Sequence, residues 1–166
     1  MMDDYLLPRE VIDLAIRVIA ENKAAGRTVS LAESCTGGLV CAALTEIAGS
    51  SAVLDRGFVT YSNEAKREIL AVPDAILDTF GAVSVATAWA MAQGALARSN
   101  ADIAVAISGV AGPGGGSAQR PVGTVVFARA IRGSEKVDAE ERFFDGSSRS
   151  AVRCQAALVA LELLLP

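Results

Sequence analysis

The sequence predicts an α/β layer fold with a mixed sheet, and three patterns carry that expectation. Strand-like apolar runs alternate with segments of helical periodicity through the early part of the 166 residues, and helical crossovers of this kind leave neighbouring strands parallel. The run Ile103 to Ile107 is apolar at every position, as expected of a strand covered on both faces. Two late runs, Val122 to Ile131 and Val137 to Phe144, flank a polar connection at Gly133 to Lys136 and read as an antiparallel hairpin.

The elements follow in order. Pro8 stands near the start of a first helix whose face carries Val11, Ile12, Ala15, Ile16 and Ile19 and which ends around Gly26; its expected role is packing. Thr28 to Ala32 reads as a buried strand, Gly37 to Ile47 as a helix of small residues, and Val53 to Tyr61 as a second strand closed by Ser62 and Asn63. Either of those two polar residues suits the N-cap of the short helix that carries Lys66. Asp74, after Pro73, is expected to cap another short helix. Ser84 is expected to cap a longer, alanine-rich one reaching Arg98, with Ala88, Met91, Ala92 and Ala95 at helical spacing. A last helix from about Ser148 through Leu165 is expected to bury Val152, Ala156, Val159 and Leu163. No linker, repeat or low-complexity segment interrupts the pattern, so residues 1–166 read as one domain.

Composition narrows the function. A hydrophobic fraction of 52% supports a sizeable core. A formal net charge of −4 argues against broad attraction to duplex nucleic acid while leaving room for one local cationic pocket and a small anionic ligand. Cys35, Cys41 and Cys154 form no CxxC pair. Their odd number, with Asp3 and Asp4 where a secretory signal would place positive charge, reads as reduced thiols in a cytoplasmic protein. No apolar run approaches the roughly 18 residues of a membrane span.

Three polar or glycine-rich segments fall at predicted strand ends, where open α/β sheets place ligands. The first is Glu33-Ser34-Cys35-Thr36-Gly37-Gly38, a turn with small nucleophiles leading into a helix; a simple capped turn is the alternative. The chain contains no histidine, which excludes Ser-His-Asp and Cys-His arrangements, so a hydroxyl nucleophile needs another base, and lysine is the natural candidate. The second segment, Tyr61 to Lys66, supplies one. To act near neutral pH that amine must be partly deprotonated by burial or a nearby cation, whereas a solvated surface lysine is the ordinary alternative. The third, Ser108 to Gly116, lacks the Gly-Lys-Ser/Thr of a Walker A loop. Its backbone suits an anion nest or simply a loose connection.

In order along the chain, the motifs AESCTGG, FVTYSNEAK, GAVS, SGVAGPGGG and PVGTV resemble the CinA C-terminal domain family, also known as the nicotinamide mononucleotide deamidase family. The resemblance runs from about Val29 to the final helix. It implies a three-layer α/β/α sandwich with a mixed sheet. It also implies hydrolysis of the carboxamide of nicotinamide mononucleotide to nicotinate mononucleotide and ammonia, with no cofactor and no metal. Carried over by motif, the nucleophile falls on Ser34 and the base on Lys66, with Tyr61 and Ser108 orienting water or substrate. Backbone donors around Cys35 to Gly37 are expected to hold the oxyanion. Substrate contacts are expected from Glu33, Cys35, Thr36, Gly37, Gly38, Ser108, Gly109, Gly112 and Gly114, with Glu33 alternatively a buried structural acceptor. Arg149 is expected to meet the phosphate.

The chain departs from the family pattern in two places. Gly146-Ser147-Ser148-Arg149 stands where relatives commonly have Gly-Asp-Arg, and Arg120 replaces a common lysine before Pro-Val-Gly, where simple solvent exposure is its alternative role. Many members carry an additional N-terminal domain for which no room is expected here, and homo-oligomers are common in the family. Two alternatives stay open: a nucleotide-binding module of the same fold without turnover, and a hydrolase using Cys35 in place of Ser34.

Overall fold

The computed structural model describes residues 4–145 and 148–166. The elements in chain order are α1 (Arg9–Ala24), β1 (Val29–Glu33), α2 (Leu39–Thr45), a 3₁₀ turn at Ser50–Ala52, β2 (Leu54–Val59), α3 (Asn63–Leu70), α4 (Asp74–Phe80), α5 (Val85–Ala97), β3 (Ile103–Gly109), β4 (Thr124–Ile131), β5 (Ala139–Phe143) and α6 (Arg149–Leu163). They form one mixed sheet in the order β2-β1-β3-β4-β5. β1 pairs in parallel with β2 and β3, while β4 runs antiparallel to both β3 and β5. The expected late hairpin is therefore β4–β5, and the helical crossovers make the first three strands parallel.

The two faces of the sheet are built from different residues. Strand side chains alternate between faces. Val29 and Leu31 of β1, Ile103, Val105 and Ile107 of β3, and Val125 and Phe127 of β4 all project toward α1, α2 and α6. The intervening positions are mostly small: Ala32, Ala104, Ala106, Ala128 and Ala130, with Val126 as the larger exception, face the layer of α3, α4 and α5. α5 answers with Ala88, Met91, Ala92 and Ala95, all fully buried as their spacing predicts. Small residues on both sides let the helix lie close to the strands. Gly94 of α5 in turn meets α3, where a Cβ would run into the carbonyl of Leu70. The result is the three-layer α/β/α sandwich.

Several local expectations are corrected. On α1, Ile16 is 39% exposed and Val18 takes its place in the core, because the buried stripe follows Val11, Ala15, Val18 and Ile19. On α6, Leu163 is only half-buried, and Leu161 and Leu164 fill the core instead. Pro73, not Asp74, holds the N-cap position of α4, which has no side-chain cap; Asp74 is the first helical residue and forms an ion pair with Arg67. Ser62 rather than Asn63 caps α3, its Oγ accepting from Ala65 N at 3.0 Å, and Ser84 caps α5 through Thr87 N. Among the described residues no helix is long and apolar enough to cross a membrane.

Candidate active site

The three parallel strands end on the same edge of the sheet, at Glu33, Val59 and Gly109. A cavity of about 160 Å³ opens there, lined by Ser34, Cys35, Tyr61, Lys66, Ala82, Val83, Ser108, Gly109, Ala111 and Arg149. The chain thus brings residues from all three sequence segments to one place, the crevice beyond the strand ends that this architecture favours.

Ser34 is the first residue past β1, and its N–H still bonds to Ile107 O at 2.9 Å, so the sheet itself fixes its position. Lys66 arrives from the other side. Helical side chains lean toward the N-terminus of their helix, so a lysine one turn inside α3 points back at the end of β2. Its Nζ lies 3.0 Å from Ser34 Oγ, 2.9 Å from Thr60 O and 3.0 Å from Tyr61 O. Lys66 is 1% exposed. The surface-lysine alternative is thereby excluded by position: capping by Ser62 directs this residue inward.

Burial pushes the Lys66 amine down from 10.5 to about 8, because the ammonium loses its hydration; the nearby Cys35 acts weakly in the opposite direction. Lys66 Nζ donates to Ser34 Oγ and to the carbonyls of Thr60 and Tyr61, while Ser34 Oγ lies 3.4 Å from Tyr61 O; on losing a proton the amine can keep the two carbonyl bonds and present its lone pair to Ser34. Burial drives the Cys35 thiol the other way, up to about 11, so beside a base of pKa about 8 it stays protonated. A protonated thiol is the poorer nucleophile, which weighs against Cys35 beside Ser34.

The turn after Ser34 is held from two sides. Glu33 is fully buried, and its carboxylate accepts from Gly38 N (3.0 Å), Val40 N (3.2 Å) and Cys41 N (2.9 Å). These bonds use amides at the start of α2, and Glu33 lies outside the cavity lining, an arrangement that matches its structural alternative rather than the substrate-contact expectation. From α6, Arg153 Nε donates to Cys35 O at 3.1 Å and its Nη2 to Thr36 O at 3.0 Å. Sequence reasoning missed Arg153. The signal was present in its spacing: Arg149 and Arg153 are four residues apart and share a helix face.

Other expected ligand contacts also shift. Thr36 is fully buried and outside the cavity lining. Gly37 donates its N–H to Ser34 O and Gly38 donates to Glu33, so neither amide is available to an oxyanion. Among the described residues, the N–H groups of Cys35 and Thr36 have no backbone acceptor; the Cys35 N–H lies against its own Sγ, and Cys35 is the one at the cavity. In the glycine-rich loop, Gly109 alone of the glycines lines the cavity. Gly112 is buried and gives its carbonyl to Arg149, and Gly114 stands exposed.

Arg149 opens α6, whose cap is Ser148 Oγ. Its guanidinium donates to Gly112 O at 2.7 Å and to the Tyr61 hydroxyl at 3.0 Å. The Tyr61 phenol therefore meets Arg149 rather than the Ser34–Lys66 pair, and only its backbone carbonyl touches the lysine. Arg120 is not simply solvated: it is half-buried and its Nη2 reaches Phe80 O at 2.9 Å, tying the loop to the end of α4. Gly146 and Ser147, where the chain departs from the family pattern, lie outside the described residues. No group of three His, Cys, Asp or Glu side chains suited to a metal occurs among the described residues.

The family model of the CinA C-terminal domain matches residues 12–166. The chain belongs to the CinA C-terminal domain family. Within it, the chain is 50% identical to the nicotinamide-nucleotide amidohydrolase PncC of Enterobacter agglomerans over 153 residues, covering 92% of each chain. It is also 50% identical to the protein of the same name from Escherichia coli K12 over 155 residues, covering 93% of each. The crystal structure of the competence/damage inducible protein CihA from Agrobacterium tumefaciens superposes with a TM-score of 0.93 at 52% identity, covering 96% of both chains. Family membership accounts for the mixed sheet and for the recurrence of the motifs around the cavity.

Proposed function

We propose that this protein hydrolyses the carboxamide of nicotinamide mononucleotide to nicotinate mononucleotide and ammonia, with Ser34 as nucleophile and Lys66 as base. The observation that carries the reading is the buried Lys66 Nζ, 3.0 Å from Ser34 Oγ and lowered to a pKa of about 8, at the wall of the cavity. Its support from outside the site is the naming of relatives that match nearly the whole chain.

In this mechanism the neutral Lys66 amine takes the Ser34 proton as Oγ attacks the amide carbon. The Cys35 N–H, from the residue after the nucleophile, donates to the developing oxyanion, the arrangement that serves acyl transfer at strand-to-helix turns. The Lys66 ammonium returns the proton to the departing nitrogen and ammonia leaves. Water then attacks the acyl-enzyme, with Lys66 again accepting and returning a proton. Arg149, a guanidinium already oriented by Gly112 and Tyr61, is the cation for the 5′-phosphate. The reading also carries a homo-oligomer in a cytoplasmic setting, the first of which sedimentation velocity tests.

The test is release of ammonia and nicotinate mononucleotide from nicotinamide mononucleotide by wild type, Ser34→Ala and Lys66→Met. Both variants should fold and lose at least about a thousandfold in kcat. A wild type that binds the nucleotide without turnover would make the protein a binding module; a Ser34→Ala variant with near-wild-type kcat would remove the serine mechanism.

A further inference from the structure

In the β1–β3 ladder Ala32 lies opposite Ala106 and Glu33 opposite Ile107. The next residues, Ser34 and Ser108, therefore stand side by side where the strands end. Paired positions in a parallel ladder project from the same face, and both serines line the cavity. Ser108 is 1% exposed. A serine hydroxyl has one proton and two lone pairs, and here the proton is committed: Ser108 Oγ donates to Ala82 O at 2.8 Å, in the segment joining α4 to α5. Only lone pairs remain for the cavity.

We infer that Ser108 determines specificity by accepting a hydrogen bond from the –NH₂ of a carboxamide placed over Ser34 and by opposing the carboxylate that replaces it. The inference rests on the amidohydrolase reading and adds to it a means of telling substrate from product. A primary carboxamide presents a carbonyl oxygen, to which the Cys35 N–H donates, and N–H donors, which match the Ser108 lone pairs. The carboxylate presents two acceptors. Against Ser108 this sets lone pair against lone pair, and the conflict is relieved only if the hydroxyl rotates off Ala82 O and leaves that carbonyl unpaired. A site built to accept from a substrate N–H discriminates strongly against an analogue that lacks it. The same atom therefore favours entry of the amide and departure of the acid.

The competing explanation is a purely structural tie between β3 and the Ala82 segment, and the experiment separates the two. Wild type is first assayed for ammonia release; no release removes the amidohydrolase reading and this inference with it. With turnover in hand, Ser34→Ala is titrated calorimetrically with the amide and acid nucleotides at pH 9, where the Lys66 amine is mostly neutral and does not itself attract a carboxylate. The amide should bind at least about tenfold more tightly. Equal affinities overturn the inference and leave the hydrolase reading standing. In the active enzyme, Ser108→Ala should lose about tenfold or more in kcat/KM while the inhibition constant of the acid product falls about tenfold. Ser108→Cys, nearly isosteric and a poorer acceptor, should move both in the same directions, and it serves if the alanine variant does not fold. Lower turnover with unchanged product inhibition would mark a structural bond only and refute the proposal.

Discussion

Replacing Lys66 by methionine isolates the cost of hiding an amine in the core. In the folded chain burial lowers the Lys66 pKa from 10.5 to about 8, and each unit corresponds to about 1.4 kcal/mol. The difference of about 2.5 units is worth about 3 kcal/mol. The sign follows from which state holds the proton more firmly. Between pH 8 and 10.5 the unfolded lysine keeps a proton that the folded one has released, so stability rises with pH across that window. Below pH 8 the whole penalty is in force. The thiols act oppositely: buried Cys35 and half-buried Cys41 and Cys154 all have pKa values raised from 9.0, so they lower stability above about pH 9. Cys41 and Cys154 are common to both proteins and cancel in the comparison; Cys35 feels the Lys66 charge, but with its pKa at about 11 it stays mostly protonated up to pH 10.5 in either protein and nearly cancels too. Urea denaturation of wild type and Lys66→Met at intervals from pH 7 to 10.5 gives the result directly. The variant also strands the carbonyl of Thr60 and leaves that of Tyr61 with Ser34 Oγ alone at 3.4 Å, which offsets its curve by a constant, so the slope is the readout. Wild-type stability relative to the variant should climb by about 3 kcal/mol over this range. Parallel curves would show that the amine titrates near its ordinary value in the folded state, and the argument for Lys66 as a base near neutral pH would fail.

Two more perturbations probe the frame around the pair. Arg153→Ala removes two charge-assisted bonds to the carbonyls of Cys35 and Thr36. It should lower kcat by about ten- to a hundredfold with little change in KM, and Arg153→Lys should recover part of the loss, as steady-state kinetics will record. Gly94→Ala would stabilise an unencumbered helix by about 1 kcal/mol, but here the added Cβ meets the Leu70 carbonyl. Urea denaturation should show a loss of about 1–3 kcal/mol instead.

The layer order was legible because it is written in periodicity. Alternating strands and helices, one wholly apolar strand and one late hairpin are enough to define a mixed sheet, and Ser62, Ser84 and the alanines of α5 occupy the places their chemistry suggests. Errors arose where two neighbouring residues compete for one role. Pro73 takes the position assigned to Asp74 because its fixed φ suits the turn into α4. Val18 outcompetes Ile16 because the helix rotates its stripe toward α6. At the site, spacing could nominate Ser34 and Lys66 but could not bring them together, since the lysine's burial depends on how α3 docks. Glu33 illustrates the same limit. A carboxylate beside Ser34 reads as a ligand contact until three amides of its own chain are seen to bond to it.

The alanine-lined face of the sheet governs more than packing density. α3 rests on α5 at Gly94, α5 rests on methyl groups of β1, β3 and β4, and Ser34 stands at the end of β1. The gap between amine and hydroxyl is therefore the last dimension in a stack where most spacers on the sheet and at the α3–α5 crossing are a single carbon or none. A methylene added to any spacer, none of which touches a ligand, would lengthen that gap by a sizeable fraction of a hydrogen bond. The smallest residues in this chain work as its gauge blocks, and catalytic rate becomes a sensitive measure of their thickness.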